Sequence, residues 1–147
     1  LISLYWTDAL NTTLVANYIE KGYKIVTSGH RFDLNFLSRQ RSIIELADFT
    51  ISNSVGTHVG YCIYLNKPHY IYRQEIKYNA HNEKLKKHFD AVRTKENWDT
   101  LNEELEELYE IFCNEKVEIT EIQRKVVDKY WGISYLRSPE ELRSLLN

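Results

Sequence analysis

The first half of the chain alternates short apolar runs with helix-patterned stretches, and the links between them are short. Residues 1–6 (LISLYW), 24–28 (KIVTS), 49–52 (FTIS) and 69–72 (HYIY) are apolar runs of strand length. Between them, 12–21, 38–46 and 57–65 carry helical spacing, with Leu14, Val15, Tyr18 and Ile19 on one face of the first and Ile43, Ile44 and Leu46 apolar in the second. Asn11 is placed to cap the first helix and Gly22 to end it. Strand, helix and strand repeated with such links predict right-handed crossovers and parallel strands. The expected class is therefore α/β, a Rossmann-like three-layer domain whose parallel sheet of about four strands occupies residues 1–78.

Beyond residue 79 the strand signals stop. Residues 82–92 are weakly amphipathic and basic, while 101–112 repeat apolar residues at Leu101, Leu105, Leu108, Tyr109 and Phe112 between glutamates. Residues 122–131 read as another helix, and Ser138-Pro139-Glu140-Glu141 has the form of a capping box that opens a last one. This helical tail is expected to pack on the sheet, making residues 1–147 a single domain. A length of 147 residues, 43% of them hydrophobic and 27% charged, suits one folded domain with a real core. Nineteen basic residues against 21 acidic ones leave a formal charge of −2, so no global charge favours nucleic acid as a partner. Two cysteines build no disulfide framework, and they fit reduced thiols and a cytoplasmic setting. No apolar run approaches the roughly 18 residues of a membrane span, and no signal peptide opens the chain. A start at Leu1 with no methionine leads to the expectation of a piece cut from a longer polypeptide.

Ligands of open parallel sheets bind beyond the carboxyl ends of the strands. Here those loops are Thr7-Asp8, Gly29-His30-Arg31-Phe32-Asp33, and Asn53-Ser54-Val55-Gly56-Thr57-His58. The third sets Ser54, Gly56 and Thr57 where a strand turns into a helix. Free N–H groups and the positive end of the helix dipole suit a phosphate there, with hydroxyls as further donors and Gly56 allowing close approach. The plainer alternative is that Ser54 caps the helix and Gly56 makes the turn. Arg31 suits bidentate phosphate binding and His30 a proton donor or acceptor role, against a surface ion pair of Arg31 with Asp33 and a loop histidine without a partner. Arg39 and Arg41 read as solvated or paired with Glu45. His58 has two readings, ligand contact or packing. Gly60 within a helix costs about 1 kcal/mol relative to alanine, which points to tight helix-on-sheet packing. Cys62 reads as a small core residue, Cys113 lacks a local base, and no spacing of histidines and cysteines predicts a metal.

The stretch 44–58, with ADFTISNS at 47–54, followed by Gly60-Tyr61 and by Leu65-Asn66-Lys67-Pro68, resembles the C-terminal half of GT-B glycosyltransferases and the similar nucleotide-sugar epimerases. The resemblance spans about residues 1–73. It implies that Ser52, Asn53, Ser54, Gly56, Thr57 and His58 receive the diphosphate of a nucleotide-activated sugar, with Gly29, His30 and Arg31 near the nucleotide or its phosphates. It further implies a donor-binding half of an enzyme of surface polysaccharide or glycan biosynthesis. The donor is a substrate rather than a cofactor, and a missing N-terminal domain supplies the acceptor site and general base. Catalytic residues are unassigned, and such a piece alone is expected to be inactive. The full-length protein is expected to be cytoplasmic with peripheral membrane contact. The acidic residue that often holds the ribose hydroxyls in such proteins is absent; Tyr61 and Cys62 stand in that region.

Two other classes compete. Nucleoside deoxyribosyltransferase-like or TIR-like domains share a Gly-Thr, Gly-Tyr, Lys-Pro stretch, yet they rely on a glutamate in the following helix, and 57–65 contains none. A non-catalytic flavodoxin-like binding module is compatible with the same pattern of elements.

Overall fold

Asn11 does what its side chain predicts: its Oδ1 accepts the Leu14 N–H at 3.1 Å and starts a helix. The computed structural model describes residues 1–74, 95–114 and 118–146. By their contacts they divide into two compact units, Leu1–Asp48 and Phe49–Asn147.

In the first unit, β1 (Ile2–Ser3) leads through the short helix α1 (Trp6–Ala9) into α2 (Thr12–Glu20). The chain returns as β2 (Ile25–Val26), parallel to β1 with Ile2 opposite Ile25 and Ser3 opposite Val26. Gly22, at φ +83°, closes α2. Its N–H reaches the Ile19 carbonyl at 2.8 Å and that of Tyr23 the Tyr18 carbonyl at 3.0 Å, the paired bonds of a Schellman motif. The apolar run 1–6 is not all strand. The ladder ends where the Leu4 N–H meets the Val26 carbonyl, and Trp6 then opens α1, with Asp8 in its first turn. α3 (Phe36–Glu45) completes the unit and buries Ile44.

In the second unit, β3 (Thr50–Ser52) crosses through α4 (Thr57–Tyr64) to a parallel β4 (His69–Ile71), pairing Thr50 with His69, Ile51 with Tyr70 and Ser52 with Ile71. The sequence Leu65-Asn66-Lys67-Pro68 is a helix stop. Asn66 takes φ +60°, and the N–H groups of Asn66 and Lys67 bond the carbonyls of Ile63 and Cys62 in a second Schellman motif, with Pro68 following. Then come α5 (Lys95–Phe112), α6 (Glu121–Trp131), a 3-10 turn at Ile133–Tyr135, and α7 (Pro139–Leu146). Thr120 and Gln123 form a capping box before α6. Ser138 and Glu141 cap α7 reciprocally, as their spacing predicts. The basic stretch 82–92 lies outside the described residues.

The class is thus mixed α/β with parallel crossovers. Among the described residues the strands pair as two parallel sheets of two, where one sheet of about four was expected. Each strand runs only two or three residues before a helix or turn begins, which leaves little ladder to share. Two of the later helices pack with β4 and α4 of their own unit. Ile71 of β4 and Val59 and Ile63 of α4 meet Leu108 and Phe112 of α5 and Val126 and Val127 of α6 in one buried cluster. Each such side chain contributes roughly 1.5–3 kcal/mol on burial. Among the described residues no helix is long and apolar enough to cross a membrane.

Gly60 marks a close approach, but to a helix rather than to the sheet: a Cβ there would lie 2.7 Å from Cγ of Trp131 on α6. Alanine gains about 1 kcal/mol of helix propensity and forces the indole aside, an overpacking cost of about 1–3 kcal/mol. Gly60→Ala is therefore expected to lower the unfolding free energy by ~1 kcal/mol in urea titrations, and Gly60→Val by more. A gain of stability in Gly60→Ala would show that α4 and α6 are not in contact there.

Candidate functional site

The turn between β3 and α4 has two sides. Its outer side carries Asn53 and Thr57, both exposed, and Ser54, half-buried with no side-chain partner among the described residues. Ser54 does not cap the helix. The capping position is Gly56, in extended conformation, and no side chain closes the first turn of α4. The Val59 N–H bonds the Gly56 carbonyl at 3.0 Å, while the N–H groups of Thr57 and His58 find no acceptor among the described residues. Open N–H groups at a helix start, next to two hydroxyls, suit an anion.

The inner side is a buried polar network under an apolar roof. His69 is only 2% exposed. Its Nδ1 lies 2.8 Å from Thr50 Oγ1 and its Nε2 3.0 Å from Ser52 Oγ. Those hydroxyls also reach the Pro68 and Ser54 carbonyls, at 3.0 and 2.8 Å. A neutral imidazole has one N–H and one lone pair, so one hydroxyl accepts from the ring and donates onward to its carbonyl, while the other spends its single proton on the ring and only lies close to its carbonyl. His58 folds inward against His69, ring centroids 5.4 Å apart, and burial lowers its pKa while a bond to the Ser54 backbone opposes that shift. Its Nε2 is buried without a partner among the described residues. Burial first, and the neighbouring His58 second, bring the His69 pKa down to about 3. Gly56 serves this network: a Cβ there would sit 2.9 Å from the His58 ring, so the glycine makes room for an imidazole beneath the turn. Cys62 is buried as expected; burial raises its pKa, against a hydrogen bond from Thr50.

The first unit carries its own loop at the carboxyl ends of β1 and β2. Gly29 takes φ +82° and its N–H meets Thr27 Oγ1 at 3.1 Å. His30 is exposed, stands edge-on to Trp6 at 4.9 Å between centroids, and its Nδ1 accepts the Phe32 N–H at 3.2 Å. Arg31 stacks over the Phe32 ring at 5.0 Å and has no carboxylate partner among the described residues. The pairing weighed for Arg31 belongs to Arg39. Its Nη2 meets Asp33 Oδ2 at 2.9 Å and its Nε donates to the Ser28 carbonyl at 2.9 Å. The Asn35 N–H and then Arg39 hold the Asp33 carboxyl below its usual range. Arg41 pairs with Glu45 at 2.8 Å. Beside the loop is a cleft of about 190 Å³, with Tyr5, Trp6, Thr27, Ser28, Phe36 and Gln40 in its wall.

Arg39, Gln40, Trp6 and His69 were missed in the sequence because their partners lie far along the chain or in another element. For His69, a polar residue opening an apolar strand was the one available signal. Among the described residues no group of three or more His, Cys, Asp or Glu side chains is placed to hold a metal. No family model, curated protein or solved structure matches the chain.

Because His69 accepts a proton at about 3 in the fold and at its ordinary 6.5 when unfolded, the unfolded chain binds more protons between those values. Stability therefore falls as pH drops from 6.5, by up to about 1.4 kcal/mol per pH unit from His69, with His58 adding in the same direction. Urea midpoints measured from pH 7 to pH 5 should show the fall, and His69→Gln should flatten it. An identical slope in the variant would mean that His69 is not buried and neutral.

Proposed function

We propose that the turn at 52–58 binds the diphosphate of a nucleotide-activated sugar, and that the chain is the donor-binding part of a glycosyltransferase acting in surface polysaccharide or glycan synthesis on the cytoplasmic side of a membrane. One observation carries this: the first turn of α4 is uncapped, with the Thr57 and His58 N–H groups and the Ser54 and Thr57 hydroxyls left for a ligand. In such a reaction the protein's part is electrostatic, holding the charge that develops on the departing diphosphate. The turn leads from β3 into α4 of a parallel strand, helix and strand crossover, the arrangement in which such turns hold phosphates. Ser52 and His58 are proposed to act from beneath, as supports of the turn, while Asn53, Ser54 and Thr57 meet the ligand. The acceptor and the general base are assigned to a further domain. In the first unit, Gly29 shapes the loop, and His30 and Arg31 are its proposed polar contacts.

Calorimetric titration with a panel of nucleoside diphosphate sugars is the test. Saturable binding to at least one is expected, weakened about tenfold by the double substitution Ser54→Ala, Thr57→Ala through loss of hydrogen bonds to a charged group. Absence of binding across the panel, or wild-type affinity in the double variant, would remove the phosphate role of the turn.

A further inference from the structure

We propose that the cleft at the carboxyl ends of β1 and β2 binds one neutral planar heterocycle through a ring carbonyl adjacent to a ring N–H, the edge that uracil presents. The cleft lies where parallel strands hand over to helices, the place such folds use for ligands. Its volume of about 190 Å³ exceeds the roughly 150 Å³ that accommodates a benzene ring and falls short of the roughly 300 Å³ at which sites for larger molecules begin. One ring fits. Trp6, Tyr5 and Phe36 give it aromatic walls, and no charged residue lines it, so an ionic occupant has no counter-charge there.

Two lining residues define the polar edge. The Ser28 hydroxyl is hydrogen-bonded to the Gln40 carbonyl oxygen. An amide carbonyl only accepts, so the hydroxyl proton is spent on it. Ser28 Oγ is left with acceptor capacity, and Gln40 Nε2 with two donors that have no partner among the described residues. An acceptor beside a donor is the complement of an N–H beside a carbonyl. The edge is also held in place: Arg39 grips the Ser28 carbonyl and Asp33, and the Gly29 N–H is tied to Thr27. A fixed edge loses little freedom on binding. All of these groups belong to the first unit, so the inference stands apart from the phosphate turn of the second.

The experiment is a titration of the 147-residue chain with uracil, 1,3-dimethyluracil and pyrophosphate, followed through the Trp6 indole N–H resonance in 15N spectra. Uracil is expected to shift that resonance saturably at ~1 mM, as suits a ligand of so few atoms. Dimethyluracil, whose N–H edge is blocked, should bind about tenfold more weakly, and pyrophosphate should leave the resonance unmoved. Gln40→Glu, which replaces the donor with an acceptor, should weaken uracil to a similar degree, with Gln40→Leu as the second variant should the first not fold. Equal binding of uracil and dimethyluracil would reduce the cleft to an apolar slot and overturn the proposal, as would no shift with uracil. Pyrophosphate binding elsewhere in the chain bears only on the phosphate turn.

Discussion

Phe112 is completely buried at the end of α5, against the cluster formed by Ile71 and the valines of α4 and α6, and the second unit depends on that contact. A two-stranded parallel pair has no independent stability, since each strand here is three residues long and offers only a short ladder. The pair persists because α4, α5 and α6 cover one face of it. Along β4 the side chains alternate, so His69 and Ile71 point into this cover and Tyr70 points away. On β3 the same alternation turns Thr50 and Ser52 toward His69.

This apolar roof explains the polar network beneath it. His69 touches Phe112, with ring centroids 6.3 Å apart, and water does not reach it. A buried imidazole nitrogen without a partner costs free energy, and the two strand hydroxyls meet both nitrogens of His69. The hydroxyl that accepts from the ring donates in turn to its backbone carbonyl, of Pro68 or of Ser54, and the His58 ring bonds the Ser54 backbone, so the outer turn is tied to the core. The uncapped start of α4 goes with the same arrangement: Ser54 offers its carbonyl to the Ser52 hydroxyl and the His58 ring, His58 folds under Gly56, and the Thr57 and His58 N–H groups find no acceptor among the described residues.

Local rules made much of this legible. The cap at Asn11, the stop at Gly22 and the box at Ser138 and Glu141 are short-range hydrogen-bonding patterns, and each forms as its spacing predicts. The crossovers were readable from the alternation of apolar runs with helical spacing, and the buried setting of Cys62 from its apolar neighbours. What was hidden depends on distance along the chain. Gly60 announced a close approach, but nothing local says that its neighbour is Trp131, seventy-one residues on. Arg39 looked like a surface residue because its two contacts, Ser28 and Asp33, lie in a loop rather than on its own helix. Strand ends were also overread, since the run 1–6 is apolar throughout and still bends into α1 at Trp6.

The central claim is that the open end of α4 takes a phosphate, and the amide resonances of that turn report on it directly. In 15N spectra recorded during titration with a nucleoside diphosphate, the Thr57 and His58 amides should move downfield together and saturate, as N–H groups do on meeting an anion. Ile63 and Leu65 at the far end of the same helix should stay in place. Saturating shifts confined to other parts of the chain, with the Thr57 and His58 amides unmoved, would contradict the claim.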